Sequence, residues 1–228
     1  MISFSFGYIE NLGATEKPKF DCIRFNQELT NFALCDGANS TPWGGHAAEL
    51  TASALTSKLV IPQTNPEETL LESFSRANDL VLEKINNGAT TALNVLLSYG
   101  GIYCASCGDS LIEAYKLQPL KGWVNSQASQ LDLLEDGHSP SQLIGSPAFH
   151  SANIFQLPAK GSCIVLMMSD GLHAYTTSKE RLSIISKIKK GQPSNEDMQF
   201  ICSELGELAI KNQSKDDVSA IGMWINFN

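Results

Sequence analysis

Along this chain apolar and polar positions first alternate, then form short solid runs, then fall into helical spacing. The changes of period mark the elements. Ser3, Phe4, Ser5 and Phe6 alternate as a first strand. A second strand is expected over 21–25. A third is the apolar run Phe32, Ala33, Leu34 and Cys35, closed by Asp36 and Gly37. These three strands read as a small antiparallel meander. From Gly45 the period turns helical, with Ala48, Leu50, Thr51, Ala54, Leu55 and Leu59 on one face and Pro62 as the stop. A second helix opens with Asn65 as cap, Pro66 at its first position and Glu67 and Glu68 in its first turn. Leu70, Leu71, Phe74, Ala77, Leu80, Val81 and Ile85 are its apolar stripe, and Asn86, Asn87 and Gly88 end it. The two helices are expected to cover one sheet.

Strands are then expected over 90–98, 102–107, 111–117 and 123–127, with a hairpin turn at Tyr99, Gly100 and Gly101. Residues 130–147 are polar and irregular. Strands follow over 154–157 and 162–169. Ser178 is expected to cap a helix running to Lys190, a further helix covers 195–212, and a last strand covers 218–225. Strands in runs, then helices, then a final strand argue for α+β or layered α/β architecture. With no internal repeat and no low-complexity linker, a single domain over 1–228 is expected.

Composition narrows the function. The chain is 43% hydrophobic and 18% charged, enough apolar material for a sizeable core. Its formal net charge of -8 and its few arginines, Arg24, Arg76 and Arg181, disfavour nucleic acid or an anionic membrane as partner. The N-terminus has neither a basic start nor a long apolar centre, so no targeting segment is expected. The apolar run 163–168 is too short for membrane insertion. Cys22, Cys35, Cys104, Cys107, Cys163 and Cys202 mostly sit in strand-like runs, where cysteine acts as a small hydrophobe. An offset of three on a strand sends Cys104 and Cys107 to opposite faces, and no second such pair exists. Buried thiols and a reducing, cytoplasmic setting are therefore expected.

The candidate chemistry lies at strand ends. Asp36-Gly37 closes one apolar strand and Asp170-Gly171 another, the run Val165 to Ser169. Asp109 ends the strand that carries Cys104 and Cys107, and Asp216 and Asp217 open the last one. One Asp-Gly pair is usually a turn. Several strand-end carboxylates at one rim form a set of hard oxygen ligands suited to magnesium, manganese or calcium. Without a cation they would repel one another.

The order of these motifs resembles the metal-dependent serine/threonine protein phosphatases of type 2C, in a divergent, bacterial-like branch. Asp36-Gly37, Gly88-Ala89-Thr90-Thr91, Gly108-Asp109-Ser110, Ser169-Asp170-Gly171-Leu172 and Asp216-Asp217-Val218-Ser219 each have a counterpart there, in this order. The resemblance implies a four-layer α/β/β/α sandwich, two antiparallel sheets with helices on both outer faces. It implies hydrolysis of phosphoserine and phosphothreonine on proteins by a water bridging two manganese or magnesium ions. Asp36 would bridge the ions, the Gly37 carbonyl would bind one, and Asp170 and Asp216 would hold the other. Asp109 would join Asp170 around a third ion, or else serve as a turn aspartate capping a hairpin.

Departures from the family pattern are as informative. The resemblance implies an acidic pair where Phe20-Asp21 stands, so either Asp21 takes the ligand role from a shifted register or the second ion is held more weakly. The family's phosphate-gripping arginine upstream is missing, and Lys17 and Lys19 read either as a substitute point charge or as solvated loop lysines. The loop after Asp36 is expanded to reach Trp43, Gly44, Gly45 and His46. Ala38 stands where some members carry an acid histidine, and His46 reads as a helix-start residue. The segment matching the family's flap, near 136–140, is short. These departures keep a second reading open: a phosphatase-like binding or scaffold module without turnover.

Overall fold

In the computed structural model, which describes residues 2–13, 19–57, 65–188 and 191–227, most expected elements appear in the expected order. They are β1 (Ile2–Leu12), β2 (Asp21–Phe25), β3 (Asn31–Asp36), α1 (Gly44–Thr56), α2 (Pro66–Lys84), β4 (Ala92–Ser98), β5 (Gly101–Cys107), β6 (Leu111–Gln118), β7 (Gly122–Ala128), β8 (Asn153–Pro158), β9 (Gly161–Met168), α3 (Asp170–His173), α4 (Ser178–Ile185), α5 (Asn195–Lys211) and β10 (Val218–Phe227). The expected α+β class is what the structure has: two five-stranded sheets, antiparallel throughout, each with helices. The chain divides into two compact units, one around each sheet.

One unit holds the sheet β2-β3-β4-β5-β8 with α1 and α2. Alternate residues of its strands, among them Ala33, Cys35, Ala105 and Cys107, form a buried cluster with Ala48, Leu55, Leu70, Phe74 and Val81 of the two helices. Phe32 and Leu34, of the opposite parity, are also fully buried, which explains why β3 is apolar without interruption. Burying a leucine or phenylalanine of this kind contributes about 1.5–3 kcal/mol. The expected cap of α2 is present, with Asn65 Oδ1 accepting the Glu68 N–H at 3.3 Å.

The other unit holds the sheet β1-β10-β9-β6-β7 with α3, α4 and α5. Gly7 of β1 and Gly222 of β10 are register partners, and α5 lies over both. A Cβ on Gly7 would come within 2.3 Å of the Gln199 nitrogen, and one on Gly222 within 3.0 Å of Cys202 Sγ. Paired glycines thus bring the helix backbone close to the sheet. The outer edge of β1 is covered by the same helix. Phe6 N–H donates to Asn195 Oδ1 at 3.0 Å, Tyr8 N–H to Gln199 Oε1 at 3.2 Å, and Gln199 Nε2 to the Tyr8 carbonyl at 2.9 Å. An uncovered edge would offer these groups to another chain.

Three expectations need correction, and one element was not foreseen. The meander is β2-β3-β4-β5, and β1 pairs with β10 rather than β2. Alternation reveals a strand's faces but not its partner, and the facing glycines 7 and 222 match only when β1 and β10 pair. Thr177, not Ser178, caps α4, because the Thr177 hydroxyl and the Glu180 side chain satisfy each other's backbone N–H in a capping box. That helix ends at Ile185, and Lys190 lies outside the described residues, as do Leu59 and Pro62 beyond α1. The short α3 after Ser169 was not expected from the sequence. No helix among the described residues is long and apolar enough to cross a membrane.

Candidate functional site

Asp21 and Asp36 stand directly opposite each other in the β2–β3 ladder, so the first candidate pair is made by register alone. Directly opposed side chains have Cβ atoms about 4.5–5.5 Å apart, and like charges so placed are destabilising. Asp21 is 6% exposed and Asp36 half-buried. Below them Cys22 faces Cys35. Burial pushes the Cys35 thiol well above its usual value, with Cys22, Asp36 and Asp21 adding to the rise. All six cysteines are buried and none forms a disulfide, and Cys107 joins the helix-side cluster while Cys104 does not, as opposite faces require.

The threonine and glycine motifs hold the backbone of Asp36. Its carbonyl accepts the Thr90 hydroxyl and the Thr91 N–H, both at 2.8 Å. Its N–H donates to Thr91 Oγ1 at 3.1 Å, and that hydroxyl meets Ser110 Oγ at 2.8 Å. Ser110 adjoins Asp109, so this chain of bonds ties two candidate carboxylates into one frame. Gly108, at φ +95°, must be glycine, because a Cβ would also come within 2.9 Å of Thr91 Cγ2. Asp132, which the sequence reading passed over, clamps the same turn. Its carboxylate accepts the Gly108 N–H at 3.0 Å and Asn153 Nδ2 at 2.7 Å, and its own N–H donates to the Gly108 carbonyl at 2.9 Å. A lone aspartate in a polar loop gives no sequence signal of this role.

Gly37 is packed against the start of α1, where a Cβ would come within 2.4 Å of the Gly44 carbonyl carbon. Trp43 and His46 follow with their rings edge to face, centroids 5.2 Å apart, and both are exposed. His46 is the third residue of α1, as its helix-start reading requires. Lys19 is exposed, and Lys17 lies outside the described residues. The short segment near 136–140 is a turn in which Asp136 Oδ1 accepts the N–H groups of His138 and Ser139, bonds that draw its carboxyl down to about 2.

In the other unit, Asp170 opens α3 and Asp216 lies two residues before β10. Gly171 joins them: a Cβ there would come within 2.1 Å of the Asp217 carbonyl oxygen and 3.3 Å of Asp216 Cβ. Ser169 secures the approach, accepting the Ser219 N–H at 3.0 Å and donating to the Asp217 carbonyl at 3.2 Å, while the Ser214 hydroxyl donates to the Gly171 carbonyl at 2.8 Å. Asp216 is half-buried and accepts the Asp217 N–H at 2.9 Å, and Asp217 is buried. Both precede β10, so strand alternation does not assign them to opposite faces.

Among the described residues no group of three histidine, cysteine or acidic side chains is arranged to hold a metal ion. The donor chemistry nonetheless suits one. Within the Asp21–Asp36 pair and the Asp170–Asp216 pair every donor is a hard oxygen, and the opposed carboxylates gain from a cation between them.

No family model and no curated protein matches the sequence. Solved structures do match the fold. A bacterial serine phosphatase superposes with a TM-score of 0.76 at 18% identity, covering 99% of this chain and 98% of the other. The catalytic domain of the serine/threonine protein phosphatase PstP, solved with two manganese ions, gives 0.75 at 16% identity over 99% and 100%. The phosphatase Stp1 from Staphylococcus aureus gives 0.76 at 19% identity over 97% and 94%. At these identities the likeness shows the fold, and the resemblance to type 2C phosphatases drawn from the motifs stands at that level.

Proposed function

We propose that this protein is a metal-dependent phosphatase that removes phosphate from serine and threonine residues of proteins, with 1–228 working as one domain in a reducing cytoplasm. In this reading Asp36, the Gly37 carbonyl and Asp21 would be ligands for manganese or magnesium, as would Asp170 and Asp216, with Asp109 a candidate ligand for a further ion. Bound ions supply an activated water and neutralise phosphate charge. The chain's own part is to fix its donors. Thr90 and Thr91 hold the Asp36 backbone, Ser169 and Gly171 set Asp170 against Asp216, and Lys17 or Lys19 offers a point charge to the phosphate. The observation that carries the reading is the register pairing of Asp21 with Asp36, on a fold shared with serine/threonine phosphatases.

Phosphate release from a phosphothreonine peptide, measured with manganese, with magnesium and with chelator, tests it. Metal-dependent release that disappears in Asp36→Asn is the expected result. A folded protein that binds manganese yet releases no phosphate points to the second reading, a phosphatase-like binding module. The missing upstream arginine and the Phe20-Asp21 departure favour that one.

A further inference from the structure

Arg181, on α4, is 5% exposed, and Glu113, in the middle of β6, is 4% exposed. They form a two-pronged pair, Nε to Oε2 at 2.8 Å and Nη2 to Oε1 at 2.9 Å, and the Tyr115 hydroxyl donates to the same carboxylate. The third guanidinium nitrogen, Nη1, is turned away from the carboxylate. It donates to the carbonyl and the hydroxyl of Thr176, the latter at 3.0 Å, and to the His173 carbonyl at 3.3 Å. Thr176 in turn donates its hydroxyl to the Leu172 carbonyl at 3.0 Å. All of these acceptors lie on or just after α3, whose first residue is Asp170.

A buried ion pair is weak evidence of stabilisation, since apolar residues of similar volume often do as well. What this arginine does that an apolar residue could not is join a strand to the carbonyls that close a short helix. Its planar fork has donors enough for both tasks, which lysine lacks. On the N-terminal side Asp170 is fixed through Ser169 to Asp217 and Ser219. On the C-terminal side the segment is held by Arg181 and by Asn212, whose Nδ2 donates to the Tyr175 carbonyl at 2.8 Å.

We infer that Glu113 and Arg181 are positioning residues that hold α3 so that Asp170 presents its carboxylate to a divalent cation. This rests on the metal-dependent reading of Asp170. Groups that orient a ligand from behind change metal affinity or activity by about 10–100-fold when removed.

The test replaces both partners at once, Glu113→Leu with Arg181→Met, so that no buried charge is left alone, and separately makes Arg181→Lys, which keeps the charge but loses the fork. Manganese affinity is measured by calorimetry, and amide hydrogen exchange is followed in the metal-free protein. The expected result is manganese binding weakened by about tenfold or more. The amides of Leu172, His173 and Ala174, which close α3, should exchange faster while those of β9 keep their protection. Should the double variant fail to fold, Arg181→Lys carries the same expectation. Unchanged manganese affinity and unchanged α3 exchange in a folded variant would overturn the positioning role while leaving the phosphatase reading intact. A wild-type protein that binds no manganese would instead overturn the metal reading, and the positioning role with it.

Discussion

Gly171 lies directly against the carbonyl of Asp217, so close that a Cβ would come within 2.1 Å of its oxygen. The contact is backbone to backbone, and neither partner has a flexible end that could yield. It brings the residue after Asp170 against the residue after Asp216. Gly171→Ala should therefore force the two segments apart, at a cost of about 1–3 kcal/mol. Urea denaturation measures the loss. Wild-type stability in this variant would show that the segments separate freely.

Asp36→Asn should abolish phosphate release without unfolding the protein. It removes charge but little volume, and the backbone bonds from Thr90 and Thr91 do not depend on the side chain. Because Asp21 faces Asp36 in the ladder, the metal-free variant should be at least as stable as wild type, since one of two opposed charges is gone. Urea midpoints with and without manganese report both effects. A metal-free variant markedly weaker than wild type would mean that repulsion between the two is not what the pairing costs.

Glu113 supplies a pH dependence. Burial raises its carboxyl, but the hydrogen bonds from Arg181 and Tyr115, with the Arg181 charge, outweigh that and leave it below 4.5. A carboxyl lowered on folding contributes stability that is fully present above its unfolded value. That contribution is lost as pH falls through the folded value. Glu113→Gln, which leaves Arg181 buried beside a neutral group, should cost about 3–5 kcal/mol at neutral pH. The gap to wild type should narrow below about pH 4.5. Parallel denaturation curves at pH 7 and pH 4 decide the sign, and a gap that widens in acid would contradict it.

Much of this was legible because local rules and global fold agree. Asn65, Pro66 and the acidic first turn of α2 announce a helix start, and the structure keeps it. The uninterrupted apolar stretch of β3 announces a strand buried on both faces. The pairing of β1 with β10 was hidden, since it brings together residues over 200 positions apart whose signal is only a glycine in each strand. At the candidate site, Asp36 and Asp170 could be picked out as strand-end carboxylates. The Asp21–Asp36 opposition needed register, and the Asp132 clamp and the Glu113–Arg181 pair needed packing. A single charge inside the apolar run Leu111, Ile112, Glu113, Ala114 was the one sequence trace of that pair.

The adjacent carboxylates Asp216 and Asp217 pose the sharpest test. Strand alternation cannot separate them, because both precede β10. Their surroundings differ. Asp216 is half-buried, its Cβ lies 3.3 Å from the position a Cβ on Gly171 would take, and its Oδ1 accepts the Asp217 N–H. That bond fixes one oxygen of the carboxylate. Asp217 is 5% exposed, and its carbonyl is committed to Ser169. On the resemblance drawn from the motifs the ligand is the first carboxylate of the pair, and Asp217 would act on the ion only through charge. Asp216→Asn should therefore lose phosphate release and weaken manganese binding by tenfold or more, in the range of about 10–100-fold seen when a metal site's support is removed. Asp217→Asn should keep most activity, with manganese affinity slightly reduced by the loss of one nearby negative charge. Calorimetric manganese titration of both variants, with rates on the same samples, gives the ranking. The reverse order would move the ligand one residue along the chain.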